Sequence, residues 1–233
     1  MKDFFKQMLA TIAGIVVLFF ITAFLGVMSI IGMVASSSAT KDVSDNTVLV
    51  INLQGLMEER AESNIFAELR GDVAQNIGLD DMLEAIEKAK NNDKIKGIYI
   101  EAGMFSADSY ASLQALRRAL ADFRKSGKWI VAYGDTYTQG TYYIASVADK
   151  VFLNPSGQID WHGMAAQPYF LKDLMAKFGV KMQLAKVGTY KSAPEMYTAD
   201  GMSDANREQV TAYIKGIWDN ICKDVAASRK VSV

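Results

Sequence analysis

Cysteine and histidine each occur once in these 233 residues, at Cys222 and His162, and there are only three prolines. A single cysteine excludes a disulfide framework and a cysteine zinc site. A single histidine leaves a metal cluster or a Ser-His-Asp triad without the residues it needs. The formal net charge is −1, so the electrostatic footprint of a nucleic-acid binder is also missing. Neither G-x-G-x-x-G nor a Walker motif occurs, and no G-x-S-x-G elbow can be found. No cofactor site is therefore indicated. Cys222 falls in an apolar helical pattern and reads as a packing residue. His162, in Trp161-His162-Gly163, reads as a structural turn residue.

Charge is also missing from a whole segment. No charged residue occurs from Gln7 to Thr40, and Met8 to Ala35 is rich in Ile, Val, Leu and Phe. An uncharged run above about 18 residues reads as a membrane span, longer than the apolar region of a cleaved signal peptide. The tail Ala35-Ser36-Ser37-Ser38-Ala39 resembles a cleavage site, but the length favours a retained anchor. Lys2 and Lys6 favour an inside N-terminus, and Lys41 on the other flank weakens that bias. The expected organisation is a cytoplasmic end (1–7), a signal anchor (8–35), a linker (36–46) and one domain (47–233).

Strand and helix patterns alternate through that domain. Thr47 to Leu53 reads as a strand buried on both faces. The polar connection after it carries Glu58, Glu59, Arg60 and Glu62. Asp81 and Glu84 form a capping box for a helix with Met82, Ile86 and Ala89 on one face, ended by Asn91-Asn92-Asp93. Gly97 to Ile100 is the next strand. Ser106 or Asp108 is expected to cap a helix with the stripe Leu113, Leu116, Leu120 and Phe123, and Gly127 stands where a C′ glycine belongs. Trp129 to Tyr133 is a strand, Gly140 to Val147 a short helix, Val151 to Leu153 a strand, and Asn154-Pro155-Ser156-Gly157 a turn. Leu171, Leu174, Met175 and Phe178 mark another amphipathic helix, stopped by Gly179. A strand through Met182, Leu184 and Val187 follows. Ser203 caps a last helix with the stripe Val210, Tyr213, Ile214, Ile217, Trp218, Ile221 and Val225. The alternation predicts an α/β domain with a mainly parallel sheet, whose sites gather at the C-terminal ends of the strands.

The lysine in Val187-Gly188-Thr189-Tyr190-Lys191-Ser192-Ala193-Pro194 stands out there, with no acidic residue near it until Glu195. A lysine held in an apolar, positively biased pocket loses stabilisation of its charged form and can serve as a general base. The competing reading is a solvated lysine at a strand exit. Nucleophile candidates are Ser106, Ser156 and Ser192, each of which also fits a cap, turn or surface role.

Lys186-Val187-Gly188-Thr189-Tyr190-Lys191-Ser192-Ala193-Pro194-Glu195 resembles the catalytic-lysine segment of the signal peptide peptidase A family. Supporting segments run in the same order: 93–100, 126–133, 139–150, 157–163 and 202–207. The resemblance implies a crotonase- or Clp-protease-like fold and a Ser–Lys peptidase that degrades signal peptides or other short membrane-associated peptides. In the family's long form a first repeat supplies the lysine and a second the serine, from an Ala-Ser-Gly-Gly-type segment. By this resemblance Lys191 is the catalytic base, and the chain is a fragment corresponding to the first repeat. Gln139 stands where the serine would be, and Glu101-Ala102-Gly103-Met104-Phe105 lacks the paired glycines of an oxyanion loop. The resemblance further implies an inner-membrane, single-pass protein with its bulk on the periplasmic side, peptide substrates, and homo-oligomeric assembly. Two other readings remain: a non-catalytic membrane-tethered scaffold, and a crotonase-like acyl-CoA enzyme, against which the anchor and the missing glycine loops argue.

Overall fold

The computed structural model describes residues 2–37, 43–61 and 77–233, in two compact units, Met1–Ser44 and Asp45–Val233. Glu62 of the polar connection, Lys41, and residues 38–42 of the expected linker and cleavage-like tail lie outside the described residues.

The first unit is one helix, α1 (Lys2–Ser37), apolar on all sides where its side chains are described. Residues Lys2–Gly32 are long and apolar enough to cross a membrane by length and composition. Two of its hydroxyls bond within the helix: Thr11 Oγ1 donates to the Gln7 carbonyl and Thr22 Oγ1 to the Leu18 carbonyl, each at 3.0 Å. Such back-bonding is what a hydroxyl needs where no water is at hand.

The second unit is built on a five-stranded parallel sheet in the order β2-β1-β3-β4-β5, so the expected α/β class holds. The strands are β1 (Thr47–Glu58), β2 (Ile77–Gly78), β3 (Ile95–Ala107), β4 (Trp129–Tyr137) and β5 (Lys150–Ile159). Helices α2 (Leu79–Asn91), α3 (Tyr110–Arg124) and α4 (Gln139–Ala145) form the crossovers. Strand pairing aligns Ile51 with Ile100 and Ala132, and Leu53 with Ala102. All five are buried, and they meet the helical stripes Met82, Ile86, Leu113, Leu116, Leu120 and Phe123. On the opposite face Val50 pairs with Tyr99 and is 57% exposed. The expectation that Thr47 to Leu53 is buried on both faces is thus corrected: within this unit the strand buries alternate residues only. Gly97 lies on that open face because a Cβ there would collide with the Trp129 ring beside it.

Helix starts differ from the sequence reading in a consistent way. Helix α2 begins at Leu79 with Gly78 as its N-cap and no side-chain cap bond, so Asp81 and Glu84 form no capping box. Asp81 sits inside the first turn, where its charge still favours the helix dipole. Helix α3 is capped by Ser109, whose Oγ accepts from the Ser112 amide, not by Ser106 or Asp108. Asp108 instead accepts from the Ser112 hydroxyl at 2.6 Å. Gly127 has φ +83° in the turn after α3, one residue later than a C′ position. The Asn154-Pro155-Ser156-Gly157 turn becomes a bulge within β5: pairing passes from Gly134–Leu153 to Thr136–Gln158.

After β5 the chain leaves the sheet as an arm. The arm carries only the short helices α5 (Lys172–Lys177) and α6 (Glu195–Thr198) before the long α7 (Asp204–Arg229). The expected stripe of α5 is not buried, and Phe178 is 76% exposed. No strand forms through Met182, Leu184 and Val187; all three are exposed. A stripe too short to reach a second packing surface, and a strand pattern without a neighbouring edge, have nothing in this unit to bury them. The arm's start is fixed by an aromatic stack: Trp161 lies 5.5 Å from Tyr142 and 5.2 Å from Trp218 of α7.

Helix α7 starts at Ser203, as expected, with Oγ accepting from the Asn206 amide. Of its stripe only Ile221 and Val225 are buried, and Tyr213 is 67% exposed. Polar bonds hold the C-terminal half instead. Buried Arg117 of α3 donates to the Tyr143 carbonyl, to Ser146 Oγ (2.7 Å), to the Asp224 carbonyl (2.7 Å) and to Ser228 Oγ (2.6 Å). Tyr143 donates to Asp224 Oδ2 at 2.5 Å, and burial followed by this hydrogen bond pushes its phenol well above the usual range. Losing the guanidinium removes four hydrogen bonds at once, leaving the Tyr143 carbonyl only the Ser146 hydroxyl. Arg117→Leu should therefore cost about 3 kcal/mol of stability, read as a lower urea midpoint. Arg117→Lys should recover only part of it, because an ammonium lacks the planar fork. An unchanged midpoint in Arg117→Leu would contradict this account.

Candidate active site

The lysine stretch sits in the arm between α5 and α6. Gly188 has φ +99°, a backbone conformation that side chains with a Cβ rarely adopt, and it starts the turn that brings Lys191 round. The turn closes with the Glu195 amide donating to the Ser192 carbonyl at 2.9 Å. Tyr190 donates to Glu208 of α7 at 3.0 Å. Behind it, the Leu171 amide donates to the Met196 carbonyl (2.6 Å), and Lys172 pairs with Asp200 (2.6 Å).

Glu195 is the buried member of this region. Its carboxylate accepts from Ser203 Oγ (2.6 Å), the Ser203 amide (3.2 Å) and Asn206 Nδ2 (2.9 Å), with Lys186 Nζ at 3.9 Å. The Ser203 hydroxyl above all, with the Ser203 amide and Asn206, holds its carboxyl below the usual glutamate range. Lys191 precedes Glu195 by four residues, a spacing that pairs charges on a helix. Here the carboxylate is committed elsewhere. Among the described residues no carboxylate pairs with Lys191.

A cavity of about 570 Å³ opens beside the turn, lined by Lys186, Tyr190, Lys191, Ser192, Pro194 and Gln209. The expected apolar neighbours are present but solvated: Val187 is 90% exposed, and Lys191 is exposed with it. The desolvating pocket is thus not formed by these residues alone.

The nucleophile candidates are dispersed. Ser192 is half-buried on the lysine cavity. Ser106 lines a separate cavity of about 510 Å³ where β3 and β4 end, with Tyr110, Leu113, Gln139 and His162. Ser156 lies in the β5 bulge, its amide donating to Asn154 Oδ1. Among the described residues no hydrogen bond joins Lys191 to any of the three.

Gln139 occupies the first position of α4, behind the N-cap Thr138. It is buried, and both ends of its amide are used: Nε2 donates to Tyr110 Oη (3.0 Å) and Oε1 accepts from the Gly163 amide (2.9 Å). Residues 101–105 stay within β3, whose pairing with β1 shifts register between Ala102 and Phe105. The carbonyls of Gly103 and Phe105 accept from Thr141 and Thr138. This region is tied down as a structural joint. His162 is exposed in the turn after β5, its Nδ1 3.0 Å from the Gly163 carbonyl and its Nε2 3.5 Å from Asp160. Cys222 is half-buried, and burial pushes its thiol up.

Sequence reasoning missed two residues. Arg117 lies at i+4 from Leu113 and i−3 from Leu120, on the apolar face of α3, where a charge signals a buried polar joint. Glu195 gave no such signal, since its partners lie across a turn.

Residues 122–233 match the model for Peptidase family S49. The chain is 34% identical over 210 residues to "Protease 4" of Salmonella typhi, covering 87% of this chain and 34% of that protein. It is 30% identical over 218 residues to "Protease 4" of Haemophilus influenzae, covering 89% and 35%. "Serine protease SPPA, chloroplastic" of Arabidopsis thaliana is 26% identical over 178 residues, covering 76% and 25%. The chain spans about a third of the length of the first two relatives.

The lowered Glu195 pKa carries a sign. A carboxyl depressed in the folded state stabilises the fold above the ordinary glutamate value, and that stabilisation is lost as pH falls through the depressed one. The contact between the lysine turn and the start of α7 should therefore loosen on acidification below the ordinary glutamate range. The protection factor of the Ser203 amide against hydrogen exchange should fall there in the native protein, and in Glu195→Gln it should be low already at neutral pH.

Proposed function

The chain is a member of the signal peptide peptidase A family, and from that premise we propose that it is the lysine-bearing half of a membrane-anchored Ser–Lys peptidase. The family membership carries the crotonase- and Clp-protease-like fold with it. One observation carries the mechanistic part. Lys191 is presented on a fixed turn beside a cavity, free of carboxylate partners among the described residues, while the serine-equivalent position is a fully bonded glutamine.

The chemistry follows from that division. A neutral lysine accepts the proton of a serine hydroxyl, and the oxygen attacks the peptide carbonyl. Backbone N–H groups then stabilise the oxyanion. The serine and those donors come from a second half, which also closes over Lys191 and removes its water. Desolvation disfavours the ammonium form and sets the amine to act as a base. In this reading 1–7 is cytoplasmic, 8–35 spans the inner membrane, 36–46 is a linker, and 47–233 faces the periplasm as the first repeat. Homo-oligomers with shared peptide-binding grooves complete the assembly. The substrates are short apolar peptides such as cleaved signal peptides, which reach the site from the membrane that anchors it.

Lys191→Ala in the full-length protein should abolish cleavage of a fluorogenic apolar peptide while leaving the fold intact by circular dichroism. Lys191→Arg should be equally inactive, because a guanidinium does not deprotonate at usable pH. Near-normal cleavage by Lys191→Ala would overturn the assignment and favour a scaffold whose lysine has no catalytic part.

A further inference from the structure

Glu195 is close to Lys191 in sequence, bears the opposite charge, and yet is bonded away from it. Its two carboxylate oxygens take three hydrogen bonds from Ser203 and Asn206 at the first turn of α7, with Lys186 at 3.9 Å. Its own amide closes the turn onto the Ser192 carbonyl. One residue thus both fixes the turn that presents Lys191 and keeps a negative charge occupied. We propose that Glu195 is a positioning residue for Lys191, whose clamp by Ser203 and Asn206 prevents the carboxylate from pairing with the lysine and holding it protonated.

This inference deepens the Ser–Lys reading and rests on it. The physical argument is a competition. An opposite charge within about 4–6 Å stabilises an ammonium and raises its pKa by about one unit or more. A base must be neutral, so a freed Glu195 would inhibit. Two neutral donors and a cation hold it instead. The other charged and titratable groups at the turn are few. Lys186 shares the cavity wall with Lys191 and adds positive charge. Tyr190 is bonded to Glu208 of α7, which commits that carboxylate as well. Gln209, facing the same cavity from α7, is neutral. The whole setting removes counter-ions from Lys191.

The test is the acidic limb of the kcat/KM–pH profile of the full-length protein on a fluorogenic apolar peptide. Ser203→Ala frees the carboxylate and should move that limb up by about one pH unit, lowering cleavage about tenfold on the limb. Asn206→Ala leaves its backbone amide to the helix cap and should move the limb the same way by less. Glu195→Gln should not raise the limb, and should lower kcat with KM unchanged through the loosened turn. The double variant Ser203→Ala, Glu195→Gln should return the limb to its original pH or below. A merely structural role for Ser203 predicts no such rescue. An unmoved limb in both Ser203→Ala and Asn206→Ala, or a limb that stays raised in the double variant, would overturn the proposal. Lys191→Ala separates the two levels: if it still cleaves, the Ser–Lys reading fails; if it is inactive and the limb is unmoved, only the role of Glu195 fails.

Discussion

Arg117 carries a full positive charge into the space between α3, α4 and α7, and four residues, Tyr143, Ser146, Asp224 and Ser228, receive it. Burying an ion is costly unless hydrogen bonds replace its water. Two backbone carbonyls and two serine hydroxyls do so, and the Tyr143 ring lies 4.8 Å beneath the guanidinium. Tyr143 then reaches Asp224 across the same joint. The apolar stripe of α7 is only partly used, so this polar joint decides where the helix lies. A helix of 26 residues is about 39 Å long, and fixing one end of it aims the other. At that other end stand Ser203 and Asn206, which hold Glu195. The turn bearing Lys191 is therefore connected to the sheet core through one rigid rod with a polar node at each end.

Much of the sheet domain was legible because its signals are local. The stripes of α2 and α3 read at the right positions because those residues are buried inside the same unit, and the strands were placed correctly although outward residues such as Val50 stay exposed. Boundaries were less legible where caps compete. Ser106, Asp108 and Ser109 are all capping residues within four positions, and only backbone geometry selects Ser109. The arm was misread for a different reason. Leu174, Phe178, Met182 and Leu184 have the periodicity of buried elements, but no surface in this unit covers them. Periodicity reports that a residue is meant to be buried; it does not say against what.

The same point applies to the candidate site. Lys191 was found from its neighbours and from a resemblance, and the structure sets it on a turn beside a cavity. Its apolar setting was expected within the chain and is not there. Glu195 was passed over as the first acidic residue after a positive stretch. Its meaning depends on Ser203 and Asn206, eight and eleven residues further along, which sequence spacing alone does not connect to it.

Two regions of the chain thus carry opposite marks. At Gln139 the position expected of a nucleophile is buried, with both ends of its amide bonded to Tyr110 and Gly163. Inserting a reactive hydroxyl there would leave the Gly163 amide and the Tyr110 hydroxyl without their partner, a cost the fold avoids by keeping an amide. At Lys191 the reverse holds: the turn is fixed, but the side chain is exposed and has no carboxylate partner among the described residues. On the proposed reading, a hydrated lysine needs one more event, the approach of a surface that displaces its water, before it can act as a base. If that surface is the one that brings the serine, activity cannot precede assembly.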